Sequence, residues 1–363
     1  MKPIQSLRSL SLAAVAAGSL ALAGPAAAED YFAGKTITVV VPFSQGGATY
    51  VSAKFLEPFL EKHIPGNPDI DVVDRPGGGS ILGANWFAAN GKPDGTTVLF
   101  TTSSTANPYV LGKKEVAYDL AKMRVAYSHP FGAVAYVSPA TGITEPADIL
   151  DPDRPLIYGG IAAAASDLPG LLSFEVLKLE VKSVLGFPGR GPVRLAFERG
   201  ETTLDYQFTP VYLTQVRQLI ESGKAVPLWT GGSVAADGRL TARDSVNADL
   251  PSVFEVYQTL YGEEPSGPAW EAFQSIAAVT YAYGLTGYLP EGTPQEVVDI
   301  FGEAVAAINA DPEFQKASME VTGGARLIPG AEAEPQIKRA LQPSPDLKAY
   351  LIELLSTKYG VKF

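Results

Sequence analysis

The sequence predicts an α/β protein of two units, each built on a largely parallel sheet whose functional loops gather at one edge. Three observations carry this expectation. The chain has 363 residues, enough for about two domains. Its 46% apolar and 18% charged residues suit a chain that buries a sizeable core. Short β-branched runs alternate with glycine-bearing loops and with apolar residues at helical spacing, and this alternation restarts near Gly132.

The first segment stands apart from that pattern. Lys2 and Arg8 precede an apolar stretch from Leu10 to Gly24, and Ala26-Ala27-Ala28 precedes Glu29. Basic start, short apolar stretch and small-residue cleavage site predict a secretory signal peptide over residues 1–28. The apolar stretch is short for a membrane span, and no cysteine follows it for lipid attachment.

In the first unit, Thr36 to Phe43 is a continuous β-branched run, as in a strand buried on both faces. Ser44-Gln45-Gly46-Gly47 break it, and Val51, Phe55, Leu56, Phe59 and Leu60 then share a helix face. Pro58 inside that pattern predicts a kink or an early end. Asp69 to Asp74 is a second strand, Arg75 to Ser80 a glycine loop, and Ile81 to about Gly91 a helix. Thr96 to Phe100 is a third strand, followed by a polar loop from Thr101 to Asn107.

The second unit opens with a strand at Ala133 to Pro139 and another at Leu156 to Tyr158. A small-residue loop, residues 159–166, leads into a helix with Leu168, Leu171, Leu172, Val176 and Leu179 on one face. Ser183 to Phe187 is a strand with the loop Pro188 to Pro192; a helix to about Gly200, a strand at Leu204 to Phe208 and another at Val226 to Trp229 follow. Further on, Thr293-Pro294-Gln295-Glu296 predicts a capping box opening a helix through Val297, Phe301, Val305 and Ile308, and Asp311-Pro312 restarts a helix in the same way.

Composition and missing motifs exclude several functions. The formal charge of −11 argues against a nucleic-acid partner. It does not argue against a small anion, which backbone N–H groups bind without net positive charge. With no cysteine, disulfides, thiolate metal sites and thiol nucleophiles are out. The two histidines, His63 and His129, read as a helix-end or surface residue and a structural residue. Nucleophile-elbow, phosphate-loop and dinucleotide-loop patterns all fail: Ser80 and Ser233 lack the trailing glycine, Ala225 follows Gly223-Lys224, and Leu82 stands where a third glycine belongs. No enzyme activity, metal or cofactor is expected.

What remains is a set of small-residue loops at the C-terminal ends of strands: 44–49, 77–80 and 101–107 in the first unit, 159–166 and 188–191 in the second. Ligands of open α/β sheets bind at this edge. Glycine lets backbone N–H groups approach an anion, helix N-termini add partial positive charge, and Ser and Thr add donors. Five such loops across two units predict one anion held between two domains.

The same residues resemble a known family. Val41 to Thr49, VPFSQGGAT, is similar to the opening motif of the tripartite tricarboxylate transporter receptors, the TctC or Bug periplasmic binding proteins. Asp74-Arg75-Pro76-Gly77-Gly78-Gly79, Pro93-Asp94-Gly95-Thr96, Phe187-Pro188-Gly189, Leu195 to Glu201, Ala248 to Val253 and Leu289 to Pro294 resemble later motifs of that family, in the same order over nearly the whole chain.

The resemblance implies a two-domain Venus-flytrap fold with a cleft between the domains and crossing hinge strands. Domain 1 would take residues 29–131 plus 229–363, and domain 2 residues 132–228. It implies a bound carboxylate touched by Phe43, Ser44, Gly46, Gly47 and Thr49, by Gly78 and Gly79, by Thr102 and Ser103, and in the second domain by Ser166, Pro188 and Gly189. Several residues depart from the family pattern. Tyr50 replaces a frequent Asp and favours a ligand with an aromatic or uncharged body. Ser80 replaces a glycine and adds a hydroxyl donor; Asp167 replaces a histidine. Arg190 follows the Pro-Gly pair and is a candidate partner for a distal carboxylate. Residues 258–275 are longer than usual and are expected to decorate the first domain.

The resulting expectation is an exported, monomeric periplasmic receptor that captures a small organic acid and delivers it to a two-component membrane permease. The alternatives are a ligand sensor feeding a signalling partner and, further off, a secreted hydrolase. An acidic surface slows capture of anions at long range, so local amide dipoles must supply the attraction.

Overall fold

A computed structural model describes residues 31–235 and 239–363; the expected signal peptide lies outside them. In chain order the first elements are β1 (Thr36–Val41), α1 (Ala48–His63), β2 (Asp69–Asp74), α2 (Ile81–Asn90), β3 (Thr97–Thr101), α3 (Ser103–Leu111) and β4 (Arg124–His129). Next come β5 (Ala133–Val137), β6 (Leu156–Gly160), α4 (Leu168–Val176), β7 (Val181–Leu185), α5 (Arg190–Glu198), β8 (Leu204–Phe208), an interrupted helix over 209–221, and β9 (Val226–Thr230). The chain closes with α6 (Val253–Tyr261), α7 (Pro268–Ala282), β10 (Leu285–Leu289), α8 (Gln295–Ala310), α9 (Pro312–Val321), β11 (Ile328–Pro329), α10 (Gly330–Ala340) and α11 (Pro345–Tyr359).

The strands form two sheets, ordered β11-β4-β10-β3-β1-β2 and β7-β6-β8-β5-β9. Both are mixed rather than largely parallel. β1 pairs in parallel with β2 and β3, and β6 with β7 and β8. β10 runs antiparallel between β3 and β4, and β5 antiparallel between β8 and β9. The antiparallel strands are those next to the crossings. β4 of the first sheet passes through residues 130–132 directly into β5 of the second, and the chain returns through β10. A strand that leaves one sheet for the other has no crossover helix to reverse it.

Local chemistry explains most elements and several departures from expectation. Val39, Val40 and Val41 of β1 are at most 2% exposed, as a strand covered on both faces requires. α1 runs through Pro58 to His63, because Pro58 lies on the exposed face, where water can satisfy the carbonyl it deprives. The polar stretch after β3 is a helix start, not a loop: the Thr102 hydroxyl accepts from the Ser104 N–H and caps α3. The capping box at Thr293 does not form. Its hydroxyl donates to the Pro290 carbonyl, and α8 begins at Gln295 behind an extended Pro294. Asp311 does cap α9, accepting from the Glu313 N–H at 2.8 Å.

Residues 258–275 are not a decoration of the first unit. α6 packs on α4 and β9, Tyr261 donates to the Leu177 carbonyl at 2.9 Å, and α7 lies along α4. The buried face of these helices, with Val253, Val256, Trp270, Phe273 and Ala277, finds its apolar cover on the second sheet's helix layer. α7 also touches α11, so it spans both layers. Among the described residues no helix is long and apolar enough to cross a membrane.

Candidate functional site

Two strand ends of the first sheet aim their loops at two strand ends of the second. After β1, residues 42–47 turn sharply, with Gly46 at φ 79°, and α1 starts behind Gly47. After β3, Thr102 starts α3. After β7, Gly189 starts α5. The N-termini of α1, α3 and α5 therefore converge, and Gly47, Thr102 and Arg190 line one small cavity. The termini of α1 and α5 carry no side-chain cap, Thr102 caps that of α3, and a helix N-terminus adds about half a positive charge.

The two loop sets are in contact. The Ser166 N–H donates to Ser104 Oγ at 2.8 Å, and Asn107 Nδ2 to the Ala165 carbonyl at 3.0 Å. A Cβ on Gly79 would lie 3.2 Å from Ala162 and 3.3 Å from Ala165. A Cβ on Gly189 would lie 2.3 Å from Ser44 Oγ, and one on Gly191 3.0 Å from the Gly46 carbonyl carbon. Only small residues allow this closeness. The cleft is shut around about 10 Å³ of space, room for about one water.

The expected site residues fall into three groups. Phe43, Gly47, Thr49, Thr102 and Ser166 line the cavity; Ser44, Gly46, Gly79 and Gly189 form the touching faces beside it. Ser44 Oγ and Ser166 Oγ are buried without a hydrogen-bond partner. The second group is committed elsewhere. Ser80 is buried at φ 93°, its Oγ accepts from Thr105 Oγ1 at 3.0 Å, and it is not part of the cavity wall. Gly78 is exposed, and a Cβ there would meet only Ile81 and Leu82 at the start of α2. The third group points away. Tyr50, in the first turn of α1, packs against the apolar core, Pro188 is exposed, and Ser103 faces a separate chamber behind α3. Ala48, Ile161 and Phe208 complete the cavity wall and were not singled out in the sequence, since lone apolar residues carry no motif.

Arg190 is the main correction. It is 5% exposed and lies inside the second unit, not in open cleft. Nη1 donates to Asp167 Oδ1 at 2.9 Å, Tyr158 Oη at 3.0 Å and the Gly159 carbonyl at 3.2 Å; Nη2 contacts Asp205 Oδ1 and the Tyr206 carbonyl. Burial opposes its charge, but Tyr158, Asp205 and Asp167 outweigh that and hold the guanidinium protonated, above its ordinary value. Two aspartates cancel one arginine, so no cation is left for a distal carboxylate. Only Nε, buried and unpartnered, remains as a donor of this cavity-lining residue.

Asp167 then has a clear role. It accepts from the Ile161 N–H at 2.8 Å, the Ala162 N–H at 2.9 Å and Tyr158 Oη at 2.6 Å, which fixes the small-residue loop before α4. Burial, and then the facing carboxylates, push the Tyr158 and Tyr136 phenols well above their ordinary range, so both stay neutral donors. The histidines take no part. Burial lowers His129 to about 4, and its neutral ring donates through Nε2 to the Ala325 carbonyl. His63 Nε2 meets Asp311 Oδ2 at 2.7 Å at the end of α1. No group of three His, Asp or Glu that could hold a metal occurs among the described residues.

Comparison with known proteins agrees with the resemblance read in the sequence. No family model matches the chain. A UPF0065 protein of Bordetella pertussis is 26% identical over 86% of this chain and 87% of its own length. The protein BugT of the same organism is 27% identical over 58% of this chain and 65% of its own. The periplasmic binding protein BugD superposes with a TM-score of 0.63 at 17% identity, covering 91% of this chain and 99% of its own. A Rhodopseudomonas palustris protein solved with adipate superposes at 0.65 with 21% identity, covering 89% and 97%. The fold is the two-domain fold of periplasmic binding proteins.

Proposed function

We propose that this chain, a solute-binding receptor of the TctC/Bug type, captures a small organic acid in the cleft between its two sheets and hands it to a membrane permease. The observation that carries the reading is the convergence of three helix N-termini on a cavity where Ser166 Oγ in the wall, and Ser44 Oγ beside it, lie buried without partners. A carboxylate supplies the acceptors such donors lack. We take residues 29–131 plus 229–363 as one lobe and 132–228 as the other, except that the end of β9 and the helices α6 and α7 lie against the second, with 130–132 as part of the hinge. The shut cleft is then the closed form. Opening about the crossing strands admits the acid, and closure brings Ser166 and Gly189 over it. Export through the N-terminal signal places the receptor where the permease can be met.

A thermal-shift screen against a panel of organic acids tests this. An acid at about 100 times its Kd adds roughly 2.7 kcal/mol of stability. A shift confined to one class of acid supports the reading and names the substrate. No shift with any carboxylate on folded protein overturns it.

A further inference from the structure

We propose that the chain carries a second acid site, separate from the cleft, in a chamber between α3, α7, β10, α10 and α11, and that its ligand is an amphipathic monocarboxylate. The chamber holds about 300 Å³, at the lower limit of the roughly 300–1,000 Å³ typical of ligand pockets. It is far roomier than the closed cleft, and Thr102 stands in the wall of both.

Val110, Ile276, Val279, Ile337 and Leu347 give its wall an apolar stretch, set among hydroxyl and amide residues such as Thr280, Tyr283 and Gln342. Two of its polar groups carry the assignment. Ser103 Oγ, in the first turn of α3, is buried without a hydrogen-bond partner. Arg339 stands at the rim, exposed, and donates from Nη1 to Gln336 Oε1, while no carboxylate pairs with it among the described residues. A chamber with an apolar stretch of wall, one unpaired cation at its mouth and one orphaned hydroxyl inside suits an acid with an alkyl or aryl body and one charged end. The site needs nothing from the cleft reading. Its occupant would touch α7, which also packs on α4 of the other lobe.

Calorimetric titration of the purified chain with octanoate, 1-octanol and octylamine tests the assignment. Octanoate should bind with one-to-one stoichiometry, and still bind when the cleft is saturated with the acid found by the screen. Octylamine should bind at least tenfold more weakly, because Arg339 opposes it. Arg339→Gln should weaken octanoate about tenfold and leave 1-octanol unchanged. Ile276→Trp should fill the chamber and abolish binding of both. Unchanged melting of each variant, and unchanged binding of the cleft acid, show that the fold persists. No octanoate binding at millimolar concentration, equal affinity for octanoate and octylamine, or octanoate affinity unmoved by either substitution overturns the proposal.

Discussion

Replacing Gly191 should separate closure of the cleft from stability of the lobe that carries it. Gly191 lies in the first turn of α5, and the three atoms nearest to an added Cβ all belong to the opposite loop. They are the Gly46 carbonyl carbon at 3.0 Å, the Gly46 oxygen at 3.1 Å and the Gln45 oxygen at 3.2 Å. All three are backbone atoms, which cannot swing aside as a side-chain tip can. Within α5 the change is mildly favourable, because glycine is a poor helix former by up to about 1 kcal/mol. The collision exists only when the lobes meet. Gly191→Ala should cost the closed form little, since a few tenths of an ångström relieve it. Gly191→Val adds two methyls at the same spot, and overpacking of this kind costs roughly 1–3 kcal/mol. Charged to the closed state alone, that raises Kd by about 5- to 150-fold. The assay is calorimetric titration with the acid that gives the largest thermal shift, beside the melting temperature of the ligand-free variants. A Kd for Gly191→Val within twofold of the parent would show that ligand is not held by the closed contact seen here. A ligand-free variant melting many degrees lower would show that Gly191 packs within its own lobe, contrary to the geometry.

Ser166→Ala removes a buried hydroxyl that has no partner, so the ligand-free chain should melt at the same temperature or higher, while acid affinity falls about tenfold; a drop in melting without loss of affinity refutes a ligand-facing role. Arg190→Met leaves Asp167 and Asp205, both with side chains at 0% exposure, without their cation, and should cost about 3–5 kcal/mol in urea unfolding. Adding Asp205→Asn should recover part of that loss, and a single-variant cost under about 1 kcal/mol would dissolve the strut argument. His129 sits at about 4 when folded and at its ordinary 6.5 when unfolded, so protons favour the unfolded chain between those values. Stability from this ring is complete above about pH 6.5 and lost as pH falls to about 4, a total of about 3 kcal/mol. His129→Gln should flatten the stability profile in that window, and parallel profiles for parent and variant would contradict the burial argument.

Much of the framework could be read from the chain because burial writes period and punctuation into sequence. β1, with its unbroken valines, and β6 to α4, with small residues before a leucine face, follow directly from that. β4 and β10 were not recognised. Arg124–His129 and Leu285–Leu289 are fully or almost fully buried strands whose Tyr, Ser, Thr and Gly residues mask the apolar signal. They are also the strands that cross or return between units, and their pairing partners lie far away in sequence. The segment from Thr101 to Asn107 reads as loop because Ser and Thr favour both turns and helix starts; a tertiary contact, Asn107 to Ala165, decides between them. Within the site, glycine loops and Ser166 were legible as motifs. Ala48, Ile161 and Phe208 were not, because what makes them wall residues is where the other sheet ends.

The fate of Arg190 shows why charge in a sequence is a poor guide to charge in a site. Read as a string, an arginine beside a Pro-Gly pair at a predicted ligand edge invites an acid. Folded, its guanidinium satisfies two buried aspartates, one phenol and two carbonyls at once, and the second lobe is built around it. Asp167 in turn holds the N–H groups of Ile161 and Ala162, so the arginine positions the cleft loop instead of filling the cleft. What is left to attract an anion is uncharged: two hydroxyls, one Nε–H, and the ends of α1, α3 and α5. That is consistent with a chain of formal charge −11, whose long-range field repels acids. Its selectivity must come from donors that act only within a few ångströms, and these meet only when the lobes close.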